Sequence, residues 1–216
     1  MELLKPNTSY HIFNHANGFE NVFRDDENYR YFLEKYRKYI FPIARTYAYC
    51  LMPNHFHLVI CIRKSQVIEE IIRNRNVLNL PEADSKKVDR TISGEEIEKY
   101  LSKQFGNLFS CYTQSFNKVY NRSGSLFIKN FKREPIHTKQ HFMITVIYVH
   151  RNPIHHGFCN SYVDWSYSSY CEITEEKSML IDLPGLFRVF DGKQEFIDRH
   201  QQNAEKFIQT FNLDAP

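Results

Sequence analysis

The sequence predicts an α+β fold, an antiparallel sheet with helices packed on one face, and three observations carry that expectation. The first is the order of segments, which reads strand, helix, strand pair, helices, basic segment, helix. The second is the run "HFHLVICI", His55 to Ile62, an otherwise hydrophobic strand with two histidines one residue apart after the short turn "MPN". The third is helical spacing of aromatic and aliphatic residues in "RDDENYRYFLEKYRKYI" and in "TKQHFMITVIYVHRNP". An antiparallel sheet covered on one side leaves its other face open.

Taken in order, "SYHIFNH", Ser9 to His15, is the first strand and "ANG" ends it. The first helix places Tyr29, Phe32, Leu33, Tyr36 and Ile40 on one face, with Asp25 or Asp26 as N-cap and Pro42 as the stop. "IARTYAYCLM" and "HFHLVICI" follow as an antiparallel hairpin. "SQVIEEIIRNRNVL" is helical, Pro81 to Ser93 is expected to be a surface loop, and the polar stretch on to Lys103 keeps loop character. "QFGNLFSCYTQSFNKVYNR" returns to helical spacing, and "GSLFIKNFKREPI" is a short hairpin or an extended basic arm. The helix from Thr138 buries Phe142, Val146 and Val149 and is expected to end at the Asn before Pro153. A last helical pattern, "KQEFIDRHQQNAEKFIQTF", is expected on the outside of the fold.

Bulk properties restrict the function classes. With 216 residues, 42% of them hydrophobic and 25% charged, the chain has room for one core, and extensive disorder is excluded. The formal charge of +3 is mild, but its distribution is uneven. Between residues 118 and 151 the bases Lys118, Arg122, Lys129, Lys132, Arg133, Lys139 and Arg151 face a single acid, Glu134, whereas acids outnumber bases after Glu172. This pattern points to a polyanion-facing middle and an acidic tail. Five cysteines without CxxC spacing suggest neither a disulfide framework nor a zinc knuckle, and fit a reducing cytoplasm. No signal peptide and no apolar run of membrane-spanning length are evident, so a cytoplasmic protein is expected.

The candidate chemistry lies in "CLMPNHFHLVI". Alternation puts Phe56, Leu58 and Ile60 on the core side and His55, His57 and Val59 on the open side. Two imidazoles at i and i+2 are about 6–7 Å apart at Cα, close enough to converge on one divalent cation. The helix from Thr138 offers Tyr148 and Asn152, four residues apart on one face. Asn152 is a neutral oxygen donor suited to a mixed N/O site for Mg²⁺ or Mn²⁺, and Tyr148 is a hydroxyl one turn away. Read from residue type alone, the two histidines are equally compatible with a surface pair, and Tyr148 with helix packing. Phe127, Phe131 and Tyr120 are candidates for stacking bases.

"YCLMPNHFHLVI", "YVHRNPIHHGF" and "DWSYSSY" together resemble the single-tyrosine HuH transposases (IS200-like), most closely the REP-associated tyrosine transposase (RAYT) branch. The matching positions are Met52, Pro53, Asn54, His55 and His57; then Tyr148, Asn152 and Pro153; then Trp165, Ser166, Ser168 and Ser169. The likeness runs from about Tyr10 to Tyr170 and departs at His15 and Asn130, where arginine is usual, and in a longer stretch from Lys64 to Phe105. It implies a ferredoxin-like (RRM-like) sheet with the HxH metal site on its open face. It also implies a transposase domain over 1–170, with a helical and loop insertion at about 64–115, and a C-terminal helical extension over 171–216. His55, His57 and Asn152 would hold Mg²⁺ or Mn²⁺, and Tyr148 would attack single-stranded, hairpin-associated DNA to give a 5′-phosphotyrosine. The seven basic residues from Lys118 to Arg151 would bind DNA, and the cytoplasmic protein would be nucleoid-associated when DNA-bound. The base for Tyr148 is left open between His141, His150 and neither, and the protein would act as a monomer or a homodimer. Three readings compete: a domesticated DNA-hairpin-binding protein without strand transfer, an unrelated metal-dependent hydrolase, and an RNA-binding sheet module.

Overall fold

The computed structural model describes residues 3–78 and 91–202 of the chain. A four-stranded antiparallel sheet forms from β1 (Ser9–His15), β2 (Ala44–Met52), β3 (His55–Ile62) and β4 (Lys132–Ile136), in the order β2-β3-β1-β4. Helices α1 (Asp26–Tyr39), α2 (Ser65–Leu78) and α3 (Gly94–Val119) lie between the strands, and α4 (Lys139–His155) follows β4. Three short helices, α5 (Tyr170–Thr174), α6 (Leu183–Phe190) and α7 (Lys193–Gln201), complete the described chain.

Local chemistry sets the helix ends. The Asp25 side chain accepts from Asn28 N at 3.0 Å and starts α1. Ser93 and Glu96 form a reciprocal capping box, so α3 begins at Gly94. The loop character expected up to Lys103 is therefore replaced by helix: Ile97, Leu101, Gln104 and Phe105 are buried at helical spacing, which the surrounding acids and lysines obscure. The expected loop from Pro81 falls largely outside the described residues. Thr138 caps α4 through His141 N at 3.0 Å.

Pro153 does not end α4. The helix absorbs it in its last turn and stops at Gly157, whose φ is 71°. There Phe158 N bonds to Pro153 O at 2.9 Å and Gly157 N to Ile154 O at 3.0 Å, a Schellman closure. A proline near a helix end removes one backbone bond without forcing termination when a glycine nearby supplies the left-handed residue.

The two faces of the sheet differ. On one face Ile12, Phe56 and Leu58 meet α1 and α3, and the Phe56 ring lies 5.3 Å from Phe32 and 5.7 Å from Phe109. The other face, expected to be open, is covered by α4, so His11, His55 and His57 are only 1–3% exposed. The reason lies in α4 itself: Ile144, Thr145, Val146, Ile147, Tyr148 and Val149 are all buried, so this helix has apolar surface for the sheet on one side and for the C-terminal segment on the other.

The segment "GSLFIKNFKREPI" is not a free arm. Its second half is β4, hydrogen-bonded to β1 with His11 opposite Glu134 and Phe13 opposite Lys132. Phe127 and Phe131 are 4% and 7% exposed and pack their rings against Phe105 and Phe109, so core packing rather than base stacking is their role. Tyr120 is held by Asp25 and Asn28 with Arg24 over its ring. The outer edge of β2 is closed by the "DWSYSSY" segment. Leu51 N bonds to Tyr167 O, Ser169 N to Tyr49 O, and the Trp165 indole N–H to Leu51 O at 3.0 Å. Nor is α7 peripheral, because Phe196 and His200 are buried against His150 and Tyr170.

Candidate active site between the sheet and helix α4

Register determines which side chains share the covered face. His57 stands opposite Phe13, His55 opposite His15, and His11 opposite Val59, so three β1 side chains join the β3 histidines. His15 stacks on His55 with centroids 4.7 Å apart, and His55 and His57 meet edge-on at 5.1 Å. From α4, Asn152 Oδ1 comes to 2.8 Å from His55 Nε2, and the Tyr148 ring stands edge-on to His57 at 5.5 Å and to His11 at 5.8 Å. The structure thus brings His55, His57, Asn152 and Tyr148 together. His156, at the C-terminus of α4, is exposed and adds its ring 5.2 Å from His55 at the border of the site.

Burial dominates the electrostatics. His55 is pushed down to about 4, chiefly by desolvation, with the Asn152 contact acting in the opposite direction. His57 lies well below its ordinary value, first through burial and then through neighbouring His11. Both rings are neutral at pH 7, the form that donates a lone pair to a cation.

The hydrogen bonds around His55 leave one contact unresolved by protein groups. His55 Nδ1 is 2.8 Å from Asn54 Oδ1, and Nε2 is 2.8 Å from Asn152 Oδ1. A neutral imidazole carries one N–H, so it donates to only one of these oxygens. Asn152 Nδ2 is buried without a hydrogen-bond partner, and turning the amide would leave its oxygen in that position instead. His55 Nε2 and Asn152 can therefore share one hydrogen, from the ring or from the turned amide, and the remaining Asn152 amide atom stays buried without a partner. Among the described residues, no group of three or more His, Cys, Asp or Glu side chains is arranged to hold a metal; two imidazoles and a carboxamide are what this face offers.

Two neighbours extend the cluster. His57 Nδ1 is 2.9 Å from His11 Nε2, and His11 Nδ1 is 3.7 Å from Glu134 Oε2. The signal available in sequence was parity, since His11 and His15 alternate on β1 as His55 and His57 do on β3; the strand register that joins them was not. Of the two candidate bases, His150 points away from the sheet into a buried contact with His200 and Ser169. His141 is half-buried in the first turn of α4.

The basic residues are differently placed. Lys118, Lys129 and Lys132 are exposed. Arg122 is turned inward, with Nε 2.6 Å from Glu20 and further bonds to Asn117, Gly124 O and Ser125 O. Arg133 lies over the Phe131 ring at 4.3 Å, Lys139 pairs with Asp191 at 2.7 Å, and Arg151 is half-buried on α4.

The βαββαβ order, with α1 and α3 on one face and the strand order β2-β3-β1-β4, defines a ferredoxin-like α+β domain, here with a further helix on the second face. The chain is similar in fold to a solved structure of the REP-associated tyrosine transposase bound to a REP hairpin, with a TM-score of 0.51 and 14% identity over 85% of this chain and 87% of that one. No protein-family model and no curated protein matches the chain. No described helix is long and apolar enough to cross a membrane.

Proposed function

We propose that this chain is a metal-dependent tyrosine DNA nuclease and strand transferase of the HuH type, acting on single-stranded DNA beside a hairpin. The observation that carries the reading is the placement of Tyr148 against His57 at 5.5 Å while Asn152, one helical turn on, meets His55 at 2.8 Å. The four residues of the sequence motif form one cluster although they come from two elements about a hundred positions apart. The fold shared with a transposase that binds a REP hairpin supports the same class of partner.

In this reading Tyr148 Oη attacks phosphorus, the P–O3′ bond breaks, and the tyrosine proton is lost as the leaving 3′ oxygen gains one. The product is a 5′-phosphotyrosine and a free 3′-OH. A second 3′-OH then displaces the tyrosine, restoring a phosphodiester and the Tyr148 hydroxyl without an external energy source. His55, His57 and Asn152 would hold Mg²⁺ or Mn²⁺, which supplies Lewis-acid polarisation of the scissile phosphate. The donor set fits such an ion: neutral nitrogens, a carboxamide oxygen facing His55 Nε2, and an Asn152 amide not satisfied by protein. In its Nδ1–H form His55 would donate to Asn54, which orients the ring as ligating histidines require. Lys118, Lys129 and Lys132, which are exposed, would meet phosphates, with Arg133, Lys139 and Arg151 nearby in the chain and Arg122 holding their loop.

One observation favours a second reading, a DNA-hairpin-binding protein without strand transfer. Tyr148 is 6% exposed and His57 2%, so the phosphate reaches them only if α4 gives way. Incubation with labelled hairpin-flanked single strands and Mn²⁺, followed by denaturing gels, separates the two. A covalent adduct in the wild type that is absent in Tyr148→Phe and His57→Ala establishes the nuclease. Salt-sensitive binding with no adduct, across several hairpins and both metals, establishes the binding protein.

A further inference from the structure

The metal reading requires His57 to present a lone pair, and an imidazole has two neutral forms that differ in which nitrogen offers it. His57 Nδ1 is engaged with His11 Nε2 at 2.9 Å, so Nε2 is the nitrogen left for a ligand. Only one nitrogen of that 2.9 Å pair carries the hydrogen. If His11 Nε2–H donates, His57 is protonated on Nε2 and cannot ligate. If His57 Nδ1–H donates, its Nε2 lone pair is available.

We infer that Glu134 selects the second arrangement, acting through His11 as a positioning residue for His57. Glu134 Oε2 lies 3.7 Å from His11 Nδ1, an ionic approach rather than a hydrogen bond, and His11 Nδ1 is buried with no hydrogen-bond partner. A lone pair on Nδ1 facing a carboxylate is repelled, whereas an N–H is attracted and closes to a hydrogen bond on a small side-chain movement. In the neutral form of His11 the proton therefore sits on Nδ1, Nε2 accepts, and His57 Nδ1 donates. This is the carboxylate–histidine logic that orients metal ligands, extended by one ring.

The strand geometry makes the relay a property of the sheet. Glu134 and His11 are a directly opposed pair across β4 and β1, and His11 lies diagonally from His57 across β1 and β3. The Tyr148 ring packs edge-on against both histidines of the chain, which holds the two imidazoles in their stacked arrangement, 18° apart in plane. Glu134 is half-exposed on an edge strand, so its substitution does not open the core.

The inference rests on the metal reading above, and its test separates the two. Histidine ¹⁵N resonances of the metal-free protein report which nitrogen of His57 is protonated, and titration with Mn²⁺ alone reports affinity. Wild-type His57 is expected as the Nδ1–H form. Glu134→Lys reverses the charge facing His11 and should convert His57 to the Nε2–H form, with Mn²⁺ affinity falling on the order of 10- to 100-fold. Glu134→Asp should retain the wild-type form. A charge effect without a relay would weaken Mn²⁺ binding and leave the proton where it was. An Nε2–H form in the wild type, or no change of form in Glu134→Lys, overturns the inference. A wild type with the expected form but no Mn²⁺ binding leaves the relay standing and overturns the metal reading instead.

Discussion

His150 Nδ1 and His200 Nε2 stand 2.9 Å apart in the core, and this contact has only one arrangement of protons. His200 Nδ1 faces Phe196 O at 2.7 Å and must donate to it, so His200 Nε2 accepts from His150 Nδ1–H. His150 Nε2 then accepts from the Ser169 hydroxyl at 2.8 Å, and Ser169 Oγ accepts from Tyr49 N at 2.9 Å. The chain runs from α7 through α4 to β2 with every ring nitrogen used, inside a shell of Tyr162, Tyr170, Phe190 and Phe196 rings.

His200 Nε2 cannot take a proton without losing the bond from His150, and both rings are fully buried, which gives a pH dependence of stability. Burial pushes His200 down to about 4 and His150 well below its ordinary value, against about 6.5 in an unfolded chain. Between those values the unfolded chain binds protons that the folded one refuses, so stability is full above about pH 7 and falls as the pH drops. The slope approaches ~1.4 kcal/mol per pH unit for each such histidine. Urea midpoints measured from pH 8 to 4.5 should be flat and then decline. His200→Gln, which keeps an acceptor for His150, should remove close to one proton from the acid limb.

Much of this architecture was legible because the local signals agreed. The sheet strands β1 and β3, the Asp25 cap and the Thr138 cap all follow from alternation, spacing and capping chemistry. The coverage of the HxH face was not legible, because α4 carries apolar residues all round and its periodicity does not say which element each side meets. The link from His11 to Glu134 was not legible for a related reason. β4 is five residues long and contains Lys132, Arg133, Glu134 and Pro135, so nothing in its composition announces a strand paired to β1. Tyr148 and Asn152 were found by spacing on one helix, which local sequence does report.

The same limit applies to the basic residues, and it predicts how they divide. Arg122 bonds to Glu20, Asn117 and two carbonyls, so Arg122→Ala should destabilise the fold by roughly 1–3 kcal/mol through the unsatisfied groups it leaves. Lys129 and Lys132 are exposed, and their alanine variants should leave stability within about 0.5 kcal/mol. Hairpin-DNA affinity measured against salt should lose close to one unit of slope for each lysine that meets a phosphate. If Arg122→Ala reduces the slope at unchanged stability, its ion pair with Glu20 opens to admit DNA.

Phe196 gives a measure of how firmly the C-terminal helices belong to the core. It is fully buried among His150, Tyr170, Phe187 and Phe190 rings. Phe196→Ala should cost about 3–5 kcal/mol in a single cooperative transition. A loss below about 1 kcal/mol, or two separate transitions, would mean that α7 unfolds independently of the sheet.

Asn152 sets binding against stability in a way that can be read in the metal-free protein. Its Nδ2 is buried without a hydrogen-bond partner, and its Oδ1 faces a His55 nitrogen whose own hydrogen goes to Asn54 if the ring is the Nδ1–H form. An amide retained for packing would be satisfied; an amide retained as a ligand need not be until the ion arrives. Asn152→Leu, similar in volume, removes the unsatisfied group, so the melting temperature of the metal-free protein should stay level or rise while Mn²⁺ affinity falls at least tenfold. Asn152→Asp should raise Mn²⁺ affinity by adding charge to the donor set. The opposite pattern, a clear loss of stability in Asn152→Leu with Mn²⁺ binding unchanged, would make Asn152 a structural partner of His55 and leave the site without its oxygen donor.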